Sequence, residues 1–206
     1  MEQNVDLIPS SESVMQILEK TGAYRQGHFV YPSGKHASHY FQMPLAFRFY
    51  DNSRVMSVGL SRVFRMDKAI SSRLPKVSII SPSPGGIPVA FAVREALGAE
   101  QIYWAEIENG KRQFRQYLKS GDIHPSIIVD DLIRTGKAIE ETVKLVKELG
   151  TQVIGCGAIV RFEDSPSEIE GIKIESLAEF DCNFYDTFDE WKTAEGNDSV
   201  EETVRF

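Results

Sequence analysis

At 206 residues with a net charge of −7 and a pI near 5.2, the chain is acidic and lacks a basic run, which argues against nucleic acid or an anionic membrane surface as partner. Its apolar stretches are short and strand-like, and residues 1–10 have neither a basic start nor an apolar core, so neither secretion nor membrane insertion is expected. Cys156 and Cys182 are isolated thiols of the kind a reduced, cytoplasmic protein carries, and 42% hydrophobic content suits one globular domain or a domain with a small appendage.

Val14, Ile17 and Leu18 recur at helical spacing over residues 11–20, and Gly22 supplies a stop. Residues 23–42 place aromatic-rich strands on either side of Pro32-Ser33-Gly34, the pattern of a β-hairpin. His36 and His39 are three apart, but on a strand or turn with no thiol or acid nearby that spacing does not make a zinc site. Residues 51–74 predict a packing helix capped by Asp51 or Asn52, with Val55, Val58, Val63 and Phe64 on its apolar face.

A strand–loop–helix unit follows. Residues 76–81 read as a central strand, residues 82–86 (Pro-Ser-Pro-Gly-Gly) as a tight turn open to close approach by a ligand, and Val89, Ala90, Val93, Ala96 and Leu97 as a helix closed by Gly98. Residues 101–105 are a third short strand. Beyond them Lys111, Arg112, Arg115 and Lys119 fall within nine residues, a charged surface hairpin or a cationic loop.

The second unit, residues 126–150, organises the chain. Ile127, Ile128 and Val129 have the β-branched character of a strand buried on both faces, while Ile139, Val143, Val146 and Leu149 recur at helical spacing before Gly150. Asp130 and Asp131 therefore stand at the carboxyl end of a central strand, where open parallel sheets bind ligands. Thr135-Gly136-Lys137-Ala138 then offers backbone amides and a helix N-terminus to a phosphate. Adjacent acids beside a phosphate cradle suit a phosphorylated sugar; the plainer reading is a helix start with solvated acids. Gly136-Lys137 is no P-loop, because no Gly lies five residues before Gly136 and Ala138 replaces the metal-binding Ser or Thr. Residues 152–160 add a parallel strand, residues 172–178 an edge strand and a short helix, and residues 193–202 a loose polar tail; residues 181–191 carry no functional reading.

The run from Ser126 to Ala138 resembles the 5-phosphoribosyl-1-pyrophosphate (PRPP) signature of type I phosphoribosyltransferases, and residues 22–41 resemble the start of orotate phosphoribosyltransferases: Gly-Ala, then Gly-His-Phe, then Ser-Gly-Lys-His and an aromatic strand. The fold implied is α/β, a central parallel sheet flanked by helices with a small N-terminal hood, divided as residues 1–75, an α/β core over 76–178 and an extension over 179–206. By the same resemblance Asp130 and Asp131 are catalytic and hold the ribose hydroxyls, directly or through Mg2+, and Lys111 and Arg115 of a mobile loop close over pyrophosphate, partly across a homodimer interface. Ser83, Gly85 and Gly86 would contact pyrophosphate, and Arg134, Thr135, Gly136, Lys137 and Ala138 the 5′-phosphate. Phe29, Ser33, Gly34, Lys35 and Tyr40 would lie at the nucleobase, although the aromatics taken singly are first the apolar face of a small sheet.

Departures from the pattern bear on the base. Pro32 and Ile107 stand where cations are found in the family, and Arg161 lies one residue out of register with Phe162 in the place of an Arg that grips the orotate carboxylate. Orotate is the expected acceptor, another base the enzymatic alternative, and a PRPP- or nucleotide-binding regulator without turnover the alternative of a different class.

Overall fold

The computed structural model describes residues 7–31 and 33–196 and the backbone of residues 201–203; Pro32 and residues 197–200 of the expected loose tail lie outside the described residues. Ser10 opens α1 (Ser11–Thr21) by accepting from the Ser13 amide at 3.2 Å, and Gly22 ends it in the left-handed region. Strands β1 (Tyr24–Val30) and β2 (His36–Phe41) form the expected antiparallel hairpin, irregular between Gln26 and Phe29.

The single helix expected over 51–74 is replaced by α3 (Tyr50–Met66), preceded by the short α2 (Pro44–Phe47) and followed by α4 (Lys68–Ser71). The break falls at Asp67, whose backbone is extended and whose carboxylate accepts from the Ala69 amide at 2.6 Å. Phe49, not Asp51 or Asn52, is the N-cap of α3. The buried face runs through Met56, Leu60 and Phe64, four residues apart, and Val55 is 44% exposed. Gly59 decides this orientation: Pro9 packs so close that a Cβ there would meet it at 2.4 Å.

The main sheet contains β3 (Ser78–Ser81), β4 (Gln101–Glu108), β5 (Lys111–Phe114), β6 (Ser126–Ile133), β7 (Val153–Phe162), β8 (Glu168–Ile169) and β9 (Ile172–Phe180), in the order β5-β4-β3-β6-β7-β9-β8. The five strands from β4 to β9 run parallel, and β5 and β8 are antiparallel edges. The strand expected over 101–105 extends to Glu108 and turns at Asn109-Gly110, both with positive φ, into β5. Residues 172–178 hold no helix: β9 continues to Phe180, and β8 covers its outer side.

Helices α5 (Ile87–Leu97) and α6 (Lys137–Glu148) connect β3 to β4 and β6 to β7. Alternate residues of β6 feed the two core layers: Ile127 and Val129 join Met56, Leu60, Val89 and Val93, and Ile128 joins Ile139, Val143 and Val146. After β4 the chain recrosses β3 to lay down β6. The carboxyl ends of β3 and β6 therefore sit at a topological switch point, the place where an open parallel sheet leaves a crevice.

The C-terminal segment is built into the hood, including residues 193–195 and 201–202 of the tail expected to be loose. Strands β10 (Phe184–Tyr185) and β11 (Glu201–Thr203) flank the hairpin in a sheet of order β10-β2-β1-β11, and α7 (Phe188–Glu195) buries Trp191, whose indole N–H donates to Ser38 Oγ at 2.9 Å. Phe41, Phe162, Phe180 and Phe184 meet at centroid distances of 5.0 to 6.1 Å and weld this sheet to the ends of β7 and β9.

Candidate active site

Three segments converge at the switch point: the loop after β3, the end of β6 and the start of α6. Ser83 in the first donates its hydroxyl to Asp130 Oδ1 at 2.6 Å and accepts from the Gly86 amide at 3.2 Å; Asp130 Oδ1 also accepts from the Asp131 amide at 3.0 Å. Both loop glycines stand close to the acids, and at Gly86, which meets the Asp130 backbone as well, the closeness requires glycine. A Cβ on Gly86 would stand 2.5 Å from Asp130 Oδ1, and one on Gly85 2.8 Å from Asp131 Oδ2.

Burial pushes the Asp130 carboxyl above the usual range, opposed by the Ser83 hydroxyl, the Asp131 contacts and the Arg112 guanidinium. Asp131 is raised further, by burial first and by the neighbouring Asp130 charge second. The pair thus resists carrying two negative charges until donors or a cation reach it.

Beyond the acids, Gly136 takes a positive φ of 73° at the N-cap of α6 and has no side chain to cap the helix, and only the Thr135 hydroxyl accepts, at a long 3.4 Å, from the Lys137 amide. Pro166 and Ile169 press on Gly136 so closely that a Cβ would meet each at 2.8 Å. The first-turn amides have no intrahelical partner, and Ala138 and Ile139 line the cavity they face. That cavity, of about 500 Å3, is also lined by Ser83, Gly85, Asp130, Asp131, Arg134 and Thr135, and closed on the hood side by Tyr31, Tyr40 and Phe41.

No family model matches the chain. Among curated relatives, an orotate phosphoribosyltransferase of Thermotoga petrophila is 31% identical over 179 residues, covering 85% of this chain and 89% of the relative, and one of Desulforamulus reducens is 30% identical over 175 residues, covering 85% and 87%. The chain belongs to the orotate phosphoribosyltransferase family. Among solved structures, an orotate phosphoribosyltransferase from Aeropyrum pernix matches with a TM-score of 0.61 at 20% identity over 89% of this chain and 99% of that one. An adenine phosphoribosyltransferase from Thermoanaerobacter pseudethanolicus matches with a TM-score of 0.55 at 19% identity over 69% and 88%. Both likenesses are of fold, and they establish the type I phosphoribosyltransferase architecture.

In this member of the orotate phosphoribosyltransferase family the structure gathers Ser83, Gly85, Asp130, Asp131, Arg134, Thr135, Gly136, Ala138 and Tyr40 around one cavity, with Gly86 packed behind Asp130. Other expected residues lie elsewhere. Lys137 is exposed and faces Glu141 at 3.8 Å. Phe29 is buried beneath Tyr40, centroids 5.5 Å apart. Ser33 and Gly34 form the exposed hairpin tip, and Lys35 beside them pairs with Asp186.

Arg161 binds Glu179 and the Ser165 carbonyl, and Phe162 is sealed among the aromatics of the weld, so neither lines the cavity. Lys111 is exposed on β5, and Arg115 folds back on Glu106 and Glu108 of its own hairpin. The cation that reaches inward is Arg112: its guanidinium binds Glu141 on α6 at 3.0 Å and the Pro82 carbonyl in the loop after β3. The sequence places Arg112 among four near-equivalent cations, and only the alternation of β5 against β4 separates it from Lys111. Tyr31 and Phe41 join the lining as well, a position the period-2 pattern of the hairpin allows without singling them out.

Proposed function

We infer that this chain transfers the 5-phosphoribosyl group of PRPP to orotate, giving orotidine 5′-monophosphate and pyrophosphate. The observation that carries the reading is the single cavity in which paired carboxylates, a glycine-walled loop and an uncapped helix start face the aromatics of a hood. N1 of orotate bonds to C1 of the ribose as the bond from C1 to the pyrophosphate oxygen breaks. The bonding pair leaves with pyrophosphate, and the N1 proton is lost to solvent.

Asp130 and Asp131 accept from the ribose hydroxyls and face the positive charge that develops at C1, a charge their mutual repulsion makes welcome. The α6 amides and the Thr135 hydroxyl hold the 5′-phosphate. Ser83, Gly85 and Gly86 present the loop to pyrophosphate, with Arg112 tying that loop to the β4–β5 hairpin. Tyr31, Tyr40 and Phe41 enclose the base and exclude water from the reacting centre.

A donor set of two carboxylates fits magnesium, which binds proteins through one or two carboxylates and takes its remaining ligands from substrate phosphates and water. When bound, the ion supplies positive charge to the oxygens of pyrophosphate. In the same reading two copies of the chain pair through a face that includes the hairpin, where Ile107 is 63% exposed. The two free, buried thiols accord with work in a reducing cytoplasm, and no helix among the described residues is long and apolar enough to cross a membrane.

The test is magnesium-dependent consumption of PRPP with orotate, uracil, adenine, guanine, hypoxanthine and xanthine, with products identified by mass and Asp131→Asn as control. Orotidine monophosphate made by the wild type and lost in the control supports the reading. Product from another base alone moves the acceptor, and PRPP binding without product from any base refutes catalysis.

A further inference from the structure

Among the described residues that line the cavity, Arg134 is the one cation. Its guanidinium carbon lies 4.3 Å over the ring of Phe184, and among the described residues it makes no hydrogen bond or ion pair. The neighbouring cations Arg112, Arg161 and Lys35 are engaged: Arg112 by Glu141 and the Pro82 carbonyl, Arg161 by Glu179 and the Ser165 carbonyl, Lys35 by Asp186. A guanidinium laid flat on an aromatic face keeps its in-plane N–H donors turned outward, and here they are uncommitted.

Where this guanidinium lies matters as much as its freedom. Phe184 belongs to β10 of the hood, and its ring meets Tyr31 edge-on at 5.5 Å. Tyr31 lines the cavity, and the positive charge of Arg134 is near enough to offset part of the rise that burial imposes on the Tyr31 phenol. Although Arg134 directly precedes the phosphate cradle in sequence, its side chain is stacked on the hood, the half of the cavity that encloses the base.

We propose that Arg134 reads the carboxylate of the acceptor base, so that this chain selects an acidic pyrimidine through the residue at the end of β6. The proposal rests on the function inferred above and assigns its specificity. A ring carboxylate brought under the hood shares the cavity with Asp130 and Asp131, which repel it, and leaving it buried without a partner would cost more than the stacking of its ring returns. A guanidinium meets it with two parallel N–H donors, a geometry a lysine cannot reproduce. The 5′-phosphate has separate donors in the α6 amides and the Thr135 hydroxyl. With Arg161 held by Glu179 and Phe162 packed in the weld, the end of β7 brings no cation to the cavity, and Arg134 supplies one from the end of β6.

The experiment compares wild type, Arg134→Gln and Arg134→Lys in two readouts. The first is initial-rate kinetics with orotate and with uracil, which lacks the carboxylate; the second is calorimetric titration of orotate in the presence of magnesium and pyrophosphate. Loss of a charge-assisted contact predicts that Arg134→Gln raises the KM for orotate by about 10- to 100-fold. The KM for PRPP stays within about threefold, and the preference for orotate over uracil shrinks by the same factor that orotate loses. Arg134→Lys recovers part of the loss through charge alone.

An unchanged melting transition in the variants shows that the loop remains folded. A rise in the KM for PRPP with orotate unaffected, or no change in either, overturns the proposal. Failure of the wild type to form orotidine monophosphate would refute the function instead, and the titration still decides Arg134: orotate binding weakened in Arg134→Gln upholds the assignment, and absent or equal binding refutes it.

Discussion

Replacing Gly86 by alanine tests whether the loop after β3 and the acid at the end of β6 form one fitted unit. The backbone of Gly86 is ordinary right-handed helical, φ −77° and ψ −12°, so alanine meets no conformational penalty there. On backbone entropy alone it should even stabilise the chain by roughly 0.4–1 kcal/mol. Space decides against it. The new Cβ would lie 2.5 Å from Asp130 Oδ1, 2.7 Å from Ser81 Oγ and 3.0 Å from the Asp130 Cα. Asp130 Oδ1 cannot swing aside, because the Ser83 hydroxyl and the Asp131 amide hold it at 2.6 and 3.0 Å, and the Cα belongs to a central strand paired on both sides.

The loop must therefore lift by several tenths of an ångström, an overpacking that costs about 1–3 kcal/mol and, after the entropic gain, leaves a net loss of about 1–1.5 kcal/mol at the middle of the two ranges. At roughly 2–4 °C per kcal/mol for a chain of this size, thermal unfolding should come down by about 2–6 °C. Ser83 moves with the loop, and since a misplacement of about 1 Å in a reacting constellation costs about 100-fold, a shift of several tenths lowers kcat/KM for PRPP by about 10-fold or more. Gly85→Ala is the matched contrast. Its Cβ meets the tip of the half-buried Asp131 at 2.8 Å, a side chain able to rotate, so stability should hardly change while PRPP binding still suffers from the filled cavity. A Gly86→Ala protein that melts at or above the wild type with kcat/KM within threefold would refute the account.

Three further outcomes follow from the same geometry. Arg112→Gln should reduce kcat/KM for PRPP by about 10-fold or more, because it cuts charge-assisted bonds from β5 to α6 and to the loop after β3, whereas Arg115→Gln, which loses only half-exposed pairs, should stay within about threefold in the same steady-state assay; the reverse ranking would show that the hairpin repositions on binding. Asp131→Asn should abolish turnover yet melt higher than wild type at neutral pH. Burial and the Asp130 charge raise the Asp131 carboxyl in the folded state well above its ordinary 3.8, so the folded chain holds the proton longer and loses stability as pH rises through that window; the variant should show a flatter pH profile of melting temperature, and an equal or lower melting temperature at pH 7.5 would contradict the reasoning. Trp191→Ala removes a fully buried ring stacked 4.1 Å from His28 and the bond to Ser38, and should cost roughly 3–5 kcal/mol in urea unfolding, with amide exchange in β2 accelerated; a loss below about 1 kcal/mol would mean that α7 contributes little to the hood.

The core strands and the acids were legible in the sequence because their signals are local. Ile127-Ile128-Val129 followed by two carboxylates, a turn and a helix-periodic run specifies strand, corner and helix within one window, and the glycines of the loop after β3 mark a close approach whatever it approaches. Features that depend on partners distant in sequence were not legible. The face of α3 turns on Pro9 packing against Gly59, and α7 becomes a hood element through Ser38, a contact across 153 residues. Charge counting could not rank the cations either, since Arg112 and Arg115 differ only in whether the neighbour each finds lies on another element or on its own hairpin.

Taken together, the cavity holds several demands that its own residues leave unmet, and they constrain the ligand jointly. Two crowded carboxylates call for hydroxyl donors or a cation, an uncapped helix start calls for an anion, the hood aromatics call for a flat ring, and the stacked Arg134 calls for a second anion. An anion alone answers the helix but is repelled by the acids, and an uncharged base answers the hood but leaves Arg134 idle. A phosphorylated ribose carrying pyrophosphate, met by a flat ring with its own carboxylate, answers all of them at once. Each partner removes part of the repulsion that the other would meet, so PRPP and orotate should each bind more tightly when the other, or its product-side counterpart, is already in place. Calorimetric titration of orotate with and without pyrophosphate and magnesium measures that coupling directly. Equal affinity in the two titrations would mean that the two halves of the cavity act independently.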